Sequence, residues 1–295
     1  MLTTRQKVAI ARALHRGVVA ARRIAGKGAE TQVRRHGFRW RLDLDEGIDF
    51  SIWLLGAFEP ATVRAYERLV RPGGVALDIG ANIGAHTLPL ARTVGPTGKV
   101  YAFEPTDFAM EKLRRNLALN PELEKRVVCI QTMLIDRAGG KPPPVYASWP
   151  LKDTRGVHKL HRGRKKPAGK ARTTTLDAFL AGHRVGRVDF IKLDIDGFEC
   201  VALRGARATL EKFRPTLVLE LSPHQLDEQG GSIEELTAIL REAGYALRAL
   251  GSSAALPLDG AALRALIPYG GSRNALAVPA GRKRARRPAR KARHA

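Results

Sequence analysis

Short apolar runs and amphipathic stretches alternate from residue 74 to residue 279. The run at 75–79 reads as a buried strand, and 99–103, 126–131, 188–193 and 216–221 read as further strands. Between them, 84–94, 107–119, 176–181, 200–213 and 232–242 carry helical patterning. Asn120-Pro121 stops the second of these helices, and Ser232 with Glu235 three residues later forms a capping box at the start of the last. Two weaker strands, 246–250 and 275–278, close the pattern. Such alternation predicts an α/β fold, a mostly parallel sheet with helices on both faces.

The flanks break this rhythm. Residues 3–24 predict an alanine-rich, proline-free helix with Ile10, Leu14, Val18 and Ala21 three or four apart. It is expected to pack on the core with a solvated basic face; a membrane-surface or partner-binding helix is the competing role. Arg12 and Arg16 interrupt its apolar residues, so it lacks the continuous apolar segment of a secretory signal. Residues 37–58 alternate in short runs and predict a hairpin or meander, followed by a helix over 59–70 ended by Pro72-Gly73-Gly74. Residues 137–172 hold Pro142-Pro143-Pro144, Pro150, Pro167 and five glycines among many Lys and Arg. That is too long for a routine connection, so the stretch is either a functional loop or an unfolded one. The implied order is a basic helix (1–29), a β/α lead-in (30–72), the α/β core (73–280) and a disordered basic tail (281–295).

Charge sharpens the picture. The formal net charge of the 295 residues is +23. Residues 1–29 carry seven basic and no acidic side chains, 152–172 nine and one, and 282–295 eight and none, which accounts for the entire excess. The rest of the chain is neutral, so its charge gives no reason to read the core as a nucleic-acid binder. The basic segments read first as solvated attachments; an anionic substrate, a nucleic acid or an acidic membrane are the other partners they could meet. Tyr146 and Trp149 are the aromatics near the insert, short of a stacking platform, which makes nucleic acid the weaker choice. The insert follows the third strand near the predicted site and could form a lid. Cys129 and Cys200 suggest no disulfide framework, and no apolar run reaches the roughly 20 residues of a spanning helix. A cytoplasmic location is expected.

Chemistry concentrates where strands end. In 75–84 a buried strand ends with Asp78 and turns through Gly80, Ala81, Asn82 and Gly84. Glycines there let a ligand approach the backbone, and the middle glycine of a dinucleotide loop is missing. An acid beside the loop suits a sulfonium better than a bare diphosphate, favouring S-adenosylmethionine over NAD. Glu104 ends the second strand, where a carboxylate can accept from a ribose diol. The segment 188–199 ends its strand with Asp194, Asp196 and Glu199, an acidic cluster suited to holding a proton or cation. Glu220 ends the next strand and His224 follows after Pro223, opposite the same rim, and either is a candidate for acceptor contact. His158, His161 and His183 lack acidic or cysteine spacing and read as surface residues.

Four motifs in order then carry a family resemblance: DIGANIGAHT at 78–87, Glu104-Pro105 with Leu113 and Asn116, Thr174-Thr175-Leu176-Asp177, and VDFIKLDIDGFE at 188–199 with Leu203, Gly205 and Ala206. Over roughly residues 40–280 the chain resembles the FkbM family of S-adenosylmethionine-dependent methyltransferases. The resemblance implies a Rossmann-like class I methyltransferase fold with a mostly parallel seven-stranded sheet. Carried over, it implies that Asp78, Gly80, Ala81, Asn82 and Gly84 hold the methionyl part of the cofactor and Glu104 the ribose. Met133 and Asp136 would flank the adenine, with Asp194 near the transferred methyl. Acceptors in this family are mainly hydroxyls of sugars, glycans and polyketides.

In-line methyl transfer to an alcohol requires the acceptor to be aligned and its proton removed. Asp194 is the first candidate base, with Asp196 or His86 next. A divalent metal on Asp194 and Asp196 is conceivable, but the D-x-D spacing does not establish one. The alternatives are a binding module on the same scaffold, or a nucleic-acid methyltransferase using the basic arms. The latter lacks the expected acceptor turn for a flipped base. The acceptor's identity and the oligomeric state are not written in the sequence.

Overall fold

A computed structural model describes residues 4–139, 141–153, 155–252 and 254–280, with backbone alone for 4–8. The tail expected at 281–295 lies outside the described residues. Helix α1 (Thr4–Ile24) precedes a hairpin of β1 (Glu30–Arg35) and β2 (Phe38–Asp43), then α2 (Gly47–Leu55) and α3 (Pro60–Leu69). The first half of the core runs β3 (Val75–Ile79), α4 (Thr87–Thr93), β4 (Lys99–Phe103), α5 (Asp107–Ala118), α6 (Pro121–Glu124) and β5 (Val127–Ile130). The insert is bracketed by β6 (Thr132–Leu134) and β9 (Arg172–Thr174) and contains β7 (Val145–Ser148) and β8 (Arg164–Lys166). After it come α7 (Leu176–Gly182), β10 (Phe190–Leu193), α8 (Glu199–Arg204), α9 (Arg207–Phe213), β11 (Thr216–Leu221) and α10 (Pro223–Glu228). The last elements are α11 (Ile233–Glu242), β12 (Tyr245–Ala249), β13 (Ala255–Leu256), α12 (Gly260–Leu266) and β14 (Arg273–Pro279).

The main sheet has the order β13-β12-β14-β11-β10-β3-β4-β5. Strands β11, β10, β3, β4 and β5 are mutually parallel, and β14 joins β11 antiparallel. The sheet therefore has eight strands rather than the expected seven; the extra one, β13, has two residues, too few to leave a periodic signature. Both faces are covered. One core cluster gathers Leu77, Leu180, Leu203, Leu236 and Leu240, the other Phe38, Trp40, Phe50, Tyr66, Leu88 and Leu113. The lead-in thus shares a core with the main domain. In β2 the buried residues Phe38, Trp40 and Leu42 alternate with Arg39 and Arg41, as a strand with one covered face should. Asn116 and Asn120 of the α5 region clamp it: Arg41 N–H donates to Asn116 Oδ1 at 2.9 Å, and Asn120 bonds both the N–H and the carbonyl of Arg39.

Three local expectations change. The hairpin starts earlier than 37–58, with β1 before that range and β2 inside it, and 47–55 is α2, because Ile48, Ile52 and Leu55 fall at helical spacing once the chain leaves β2. The helix predicted from residue 84 begins at Thr87, since Asn82 and Gly84 take positive φ angles of 46° and 92°. The helix predicted over 200–213 turns at Gly205-Ala206, and Asp177 caps its second half through Ala208 N–H at 2.9 Å and Thr209 N–H at 2.8 Å. At α11, Ser232 Oγ accepts from Glu235 N–H at 3.0 Å. The other half of that capping box is missing because the Glu235 carboxylate is taken by Arg204.

The insert is folded within its described residues, which corrects the unfolded reading. Strands β7 and β8 pair antiparallel, and the Glu46 carboxylate accepts from the Ser148 hydroxyl at 2.8 Å and Trp149 N–H at 2.9 Å. On the far side, Arg12 Nε donates to Leu151 O at 3.1 Å. The result is a flap tied to α1 and to the start of α2. Among the described residues no helix is long and apolar enough to cross a membrane.

Candidate active site at the strand tips

Sheet register decides where the chemistry gathers. Ile79 is paired with Phe103 on one side and Leu193 on the other, and Leu193 with Leu219. β3, β4 and β10 therefore end level, and Gly80, Glu104 and Asp194, which follow those ends, emerge along one edge with Glu220, the residue after Leu219 near the end of β11. Chain order reverses between β4 and β10 on either side of β3, the position at which open α/β sheets leave a crevice. A cleft of about 690 Å³ opens there, lined by all four residues.

The first loop is shaped by close approach. Gly80 has φ of 84°, and a Cβ on it would lie 2.0 Å from the Asp194 carbonyl oxygen. Asn82, next in the cleft wall, sends its N–H to Glu104 Oε2 at 3.0 Å. Glu104 Oε1 accepts from both the Thr106 N–H and hydroxyl, at 2.9 and 2.6 Å. Burial raises the Glu104 pKa against the pull of these donors. A carboxylate has about four acceptor positions, so Oε2 retains room for one further donor.

Asp194, Asp78 and Glu59 surround Lys192, which the sequence reading passed over. Lys192 is 3% exposed in the middle of an apolar strand. Its Nζ lies 3.2 Å from Asp194 Oδ2 and 3.9 Å from Asp78 Oδ1, and donates to Gly80 O at 3.2 Å. Burial opposes its charge, but Asp194, Asp78 and Glu59 outweigh that and raise its pKa. Burial, reinforced by Asp194 and Asp196, pushes the Glu220 carboxyl well up. Asp196 is driven the same way by burial, Asp194 and Glu199; it sits at φ of 51° and accepts from Gln225 Nε2 at 2.9 Å. A lysine inside a strand buried on both faces was the missed signal, since such a charge needs a partner.

Ala81, Met133, His86 and His224 also line the cleft. His86 stands just before α4 rather than two residues into it, with Nδ1 3.4 Å from the Tyr66 hydroxyl and Nε2 3.7 Å from Glu59. Burial, then Lys192, holds its pKa well below the usual value, so it is neutral. Three expected cofactor residues stand back from the cleft. Asp78 is fully buried, accepts from the Thr87 hydroxyl at 2.6 Å and faces Lys192, so it positions the loop from beneath. Gly84 lies against Leu113, where a Cβ would come within 2.8 Å of its side chain, so its role is packing. Asp136 is bound to Arg204 Nε at 3.0 Å, outside the cleft lining. Glu199 turns away as well, accepting from Ile195 N–H at 2.9 Å.

The surface reading of His158 and His161 is also corrected. Their rings stack 4.1 Å apart, His161 is buried in the cleft wall, and their Nε2 atoms lie 3.4 and 4.0 Å from Glu228 Oε2. The acid comes from α10, far along the chain, so spacing could not reveal it. Both Nδ1 atoms accept backbone N–H groups, from Leu160 and Gly163, which places the protons on Nε2 facing Glu228. That neutral tautomer turns an N–H of each ring toward the carboxylate, whereas a metal would need those Nε2 lone pairs.

Comparison with known proteins identifies the family. The family model described as "Methyltransferase FkbM domain" matches residues 78–247. "Methyltransferase sdnD" of Sordaria araneosa is 25% identical over 194 residues, 57% of this chain and 72% of its own. Among solved structures, the methyltransferase FkbM from Methylobacillus flagellatus KT is 17% identical with a TM-score of 0.42, covering 79% of this chain and 56% of its own. A SAM-dependent methyltransferase from Aquifex aeolicus is also 17% identical, TM-score 0.42, covering 78% and 93%. The family match spans more than half of the chain and includes the three strand tips that carry Glu104, Asp194 and Glu220; this protein belongs to the FkbM methyltransferase family.

Proposed function

We propose that the protein transfers a methyl group from S-adenosylmethionine to a hydroxyl of a sugar, glycan or polyketide-type acceptor. The observation that carries this reading is the level row of strand ends, which brings Gly80, Glu104, Asp194 and Glu220 to one cleft. The residues fit the donor. Gly80 leaves bare backbone at the crevice, the carboxylates around Lys192 suit a sulfonium, and Met133 offers an apolar wall for a base. Bound S-adenosylmethionine supplies a methyl on a positive sulfur, so the leaving group is neutral. Glu104 Oε2, with its one remaining position, takes a single ribose hydroxyl rather than both.

The chain's own part is alignment and proton removal. Asp194 is held by Lys192 and lines the cleft beside Gly80, where it orients the acceptor. Glu220, which lines the same cleft with its carboxyl pushed up by burial, takes the acceptor proton. This reverses the order expected from the sequence, in which Asp194 stood first.

Calorimetric titration with S-adenosylhomocysteine tests the donor site. The wild type binds it, and Glu104→Gln weakens binding by roughly 10- to 100-fold, the value of a hydrogen bond to a charged group. Labelled methyl transfer into a glycan, lipid and small-molecule extract then tests turnover, with Glu220→Gln expected to bind the donor product but not transfer. Absence of binding by the wild type overturns the reading.

A further inference from the structure

The cleft has two ends of opposite character. At the strand tips it is lined by carboxylates and Lys192; at the other end by α1 and α2, which contribute Ile10, Leu14, Ile48, Leu54 and Leu55 and no titratable side chain. The apolar end opens to solvent. Eight large hydrophobic side chains are exposed among the described residues, and four of them, Ile10, Leu14, Leu54 and Leu55, meet at this mouth at 42% to 63% exposure. Single exposed apolar residues need no explanation, but a cluster continuous with an active-site cleft does.

Docking of α1 does not account for the cluster. The helix is fixed on another edge, by packing of Ala11 and Val18, by His15 Nε2 at 2.9 Å from Asp45, and by Arg12 on the Leu151 carbonyl. Ile10 and Leu14, one turn apart, stand beside that edge and over the cleft, facing Leu54 and Leu55 of α2 across the opening. The sequence of α1 carries six basic and no acidic residues. An exposed apolar stripe on a helix of net positive charge is the surface of a helix that rests on an anionic bilayer.

We propose that the acceptor is an amphiphile drawn from an anionic lipid surface. Its hydroxyl-bearing head lies at Glu220, and its long aliphatic chain leaves the cleft over Ile10, Leu14, Leu54 and Leu55. The position of the head rests on the methyltransferase reading; the path of the chain does not.

Alkyl maltosides of increasing chain length, below their micelle concentrations, are the probe. Calorimetry on the full chain with S-adenosylhomocysteine present should show affinity rising by up to about fourfold per added methylene, the burial value of a CH₂. Leu14→Asp with Leu55→Asp should flatten that rise while leaving binding of maltose and of S-adenosylhomocysteine unchanged. Both positions are about half exposed, so the variant keeps its fold, which circular dichroism checks. In flotation, vesicles of phosphatidylcholine with phosphatidylglycerol should carry the wild type and release it in salt, and phosphatidylcholine alone should not. Affinity independent of chain length, or unchanged in the variant, overturns the proposal. Equal binding to both vesicles, or to neither, overturns the lipid source. Failure to bind S-adenosylhomocysteine sinks the donor reading separately, because the chain-length series without it still reads the apolar mouth.

Discussion

Lys192→Met isolates the group on which the site is built. The substitution keeps an unbranched side chain in the strand and removes the ammonium. Asp78, fully buried, then faces no cation: its Oδ1 has no hydrogen-bond partner, and Lys192 is the positive charge 3.9 Å away. Asp194 is 27% exposed and can turn to water, so the penalty falls mainly on Asp78. Removing one member of a buried ion pair costs about 3–5 kcal/mol. For a domain of this size that corresponds to a fall in Tm of roughly 6 to 20 °C. Scanning calorimetry and urea titration measure it, and titration with S-adenosylhomocysteine should show weaker binding, because Gly80 O and Asp194 lose the same anchor. Adding Asp78→Asn removes the orphaned charge and should restore at least about 1 kcal/mol, since neighbouring charges couple. A single variant melting within about 2 °C of wild type, or a double variant showing no coupling, would refute the reasoning.

Other consequences are equally direct. Gly80→Ala puts a Cβ 2.0 Å from the Asp194 carbonyl at a φ of 84°; it should destabilise by more than about 1 kcal/mol and abolish S-adenosylhomocysteine binding, both read by calorimetry. Glu46→Ala frees the flap at Ser148 and Trp149, and amide exchange over the β7–β8 hairpin should quicken roughly 10- to 100-fold while β3 and β10 stay protected. Burial, opposed by backbone N–H donors, raises Glu199 from 4.5 to about 7. Between those values the folded protein keeps a proton the unfolded chain has lost, so stability falls as pH rises across that window. Wild type should lose up to about 3 kcal/mol relative to Glu199→Gln over it, measured by denaturant titration; a pH-independent difference would contradict the burial argument.

Much of this was legible in one dimension because the signals were local. Apolar runs marked 75–79, 99–103 and 216–221 as strands with bounds that match β3, β4 and β11, since burial on both faces leaves few polar positions inside a strand. Glycines and acids at the ends of those runs marked Gly80, Glu104, Asp194 and Glu220 as candidates, because a residue at a strand's end is placed by the strand itself.

Long-range partners were illegible. Asp136 sits one segment after β6, where a base contact was expected, but Arg204 claims it. His158 and His161 have no acid nearby in sequence, yet Glu228 arrives beside them from α10. The proline-rich insert read as a loop or a disordered stretch, and became a flap once Glu46 and Arg12 tied it down. The sequence alone determined the elements and the row of strand-end residues, because hydrophobic period and turn chemistry act between neighbours. Tertiary structure alone decided that Lys192 lies within reach of Asp78, and that an apolar mouth opens between α1 and α2. Both depend on sheet register and helix docking, which join residues too far apart in the chain for any local pattern to record.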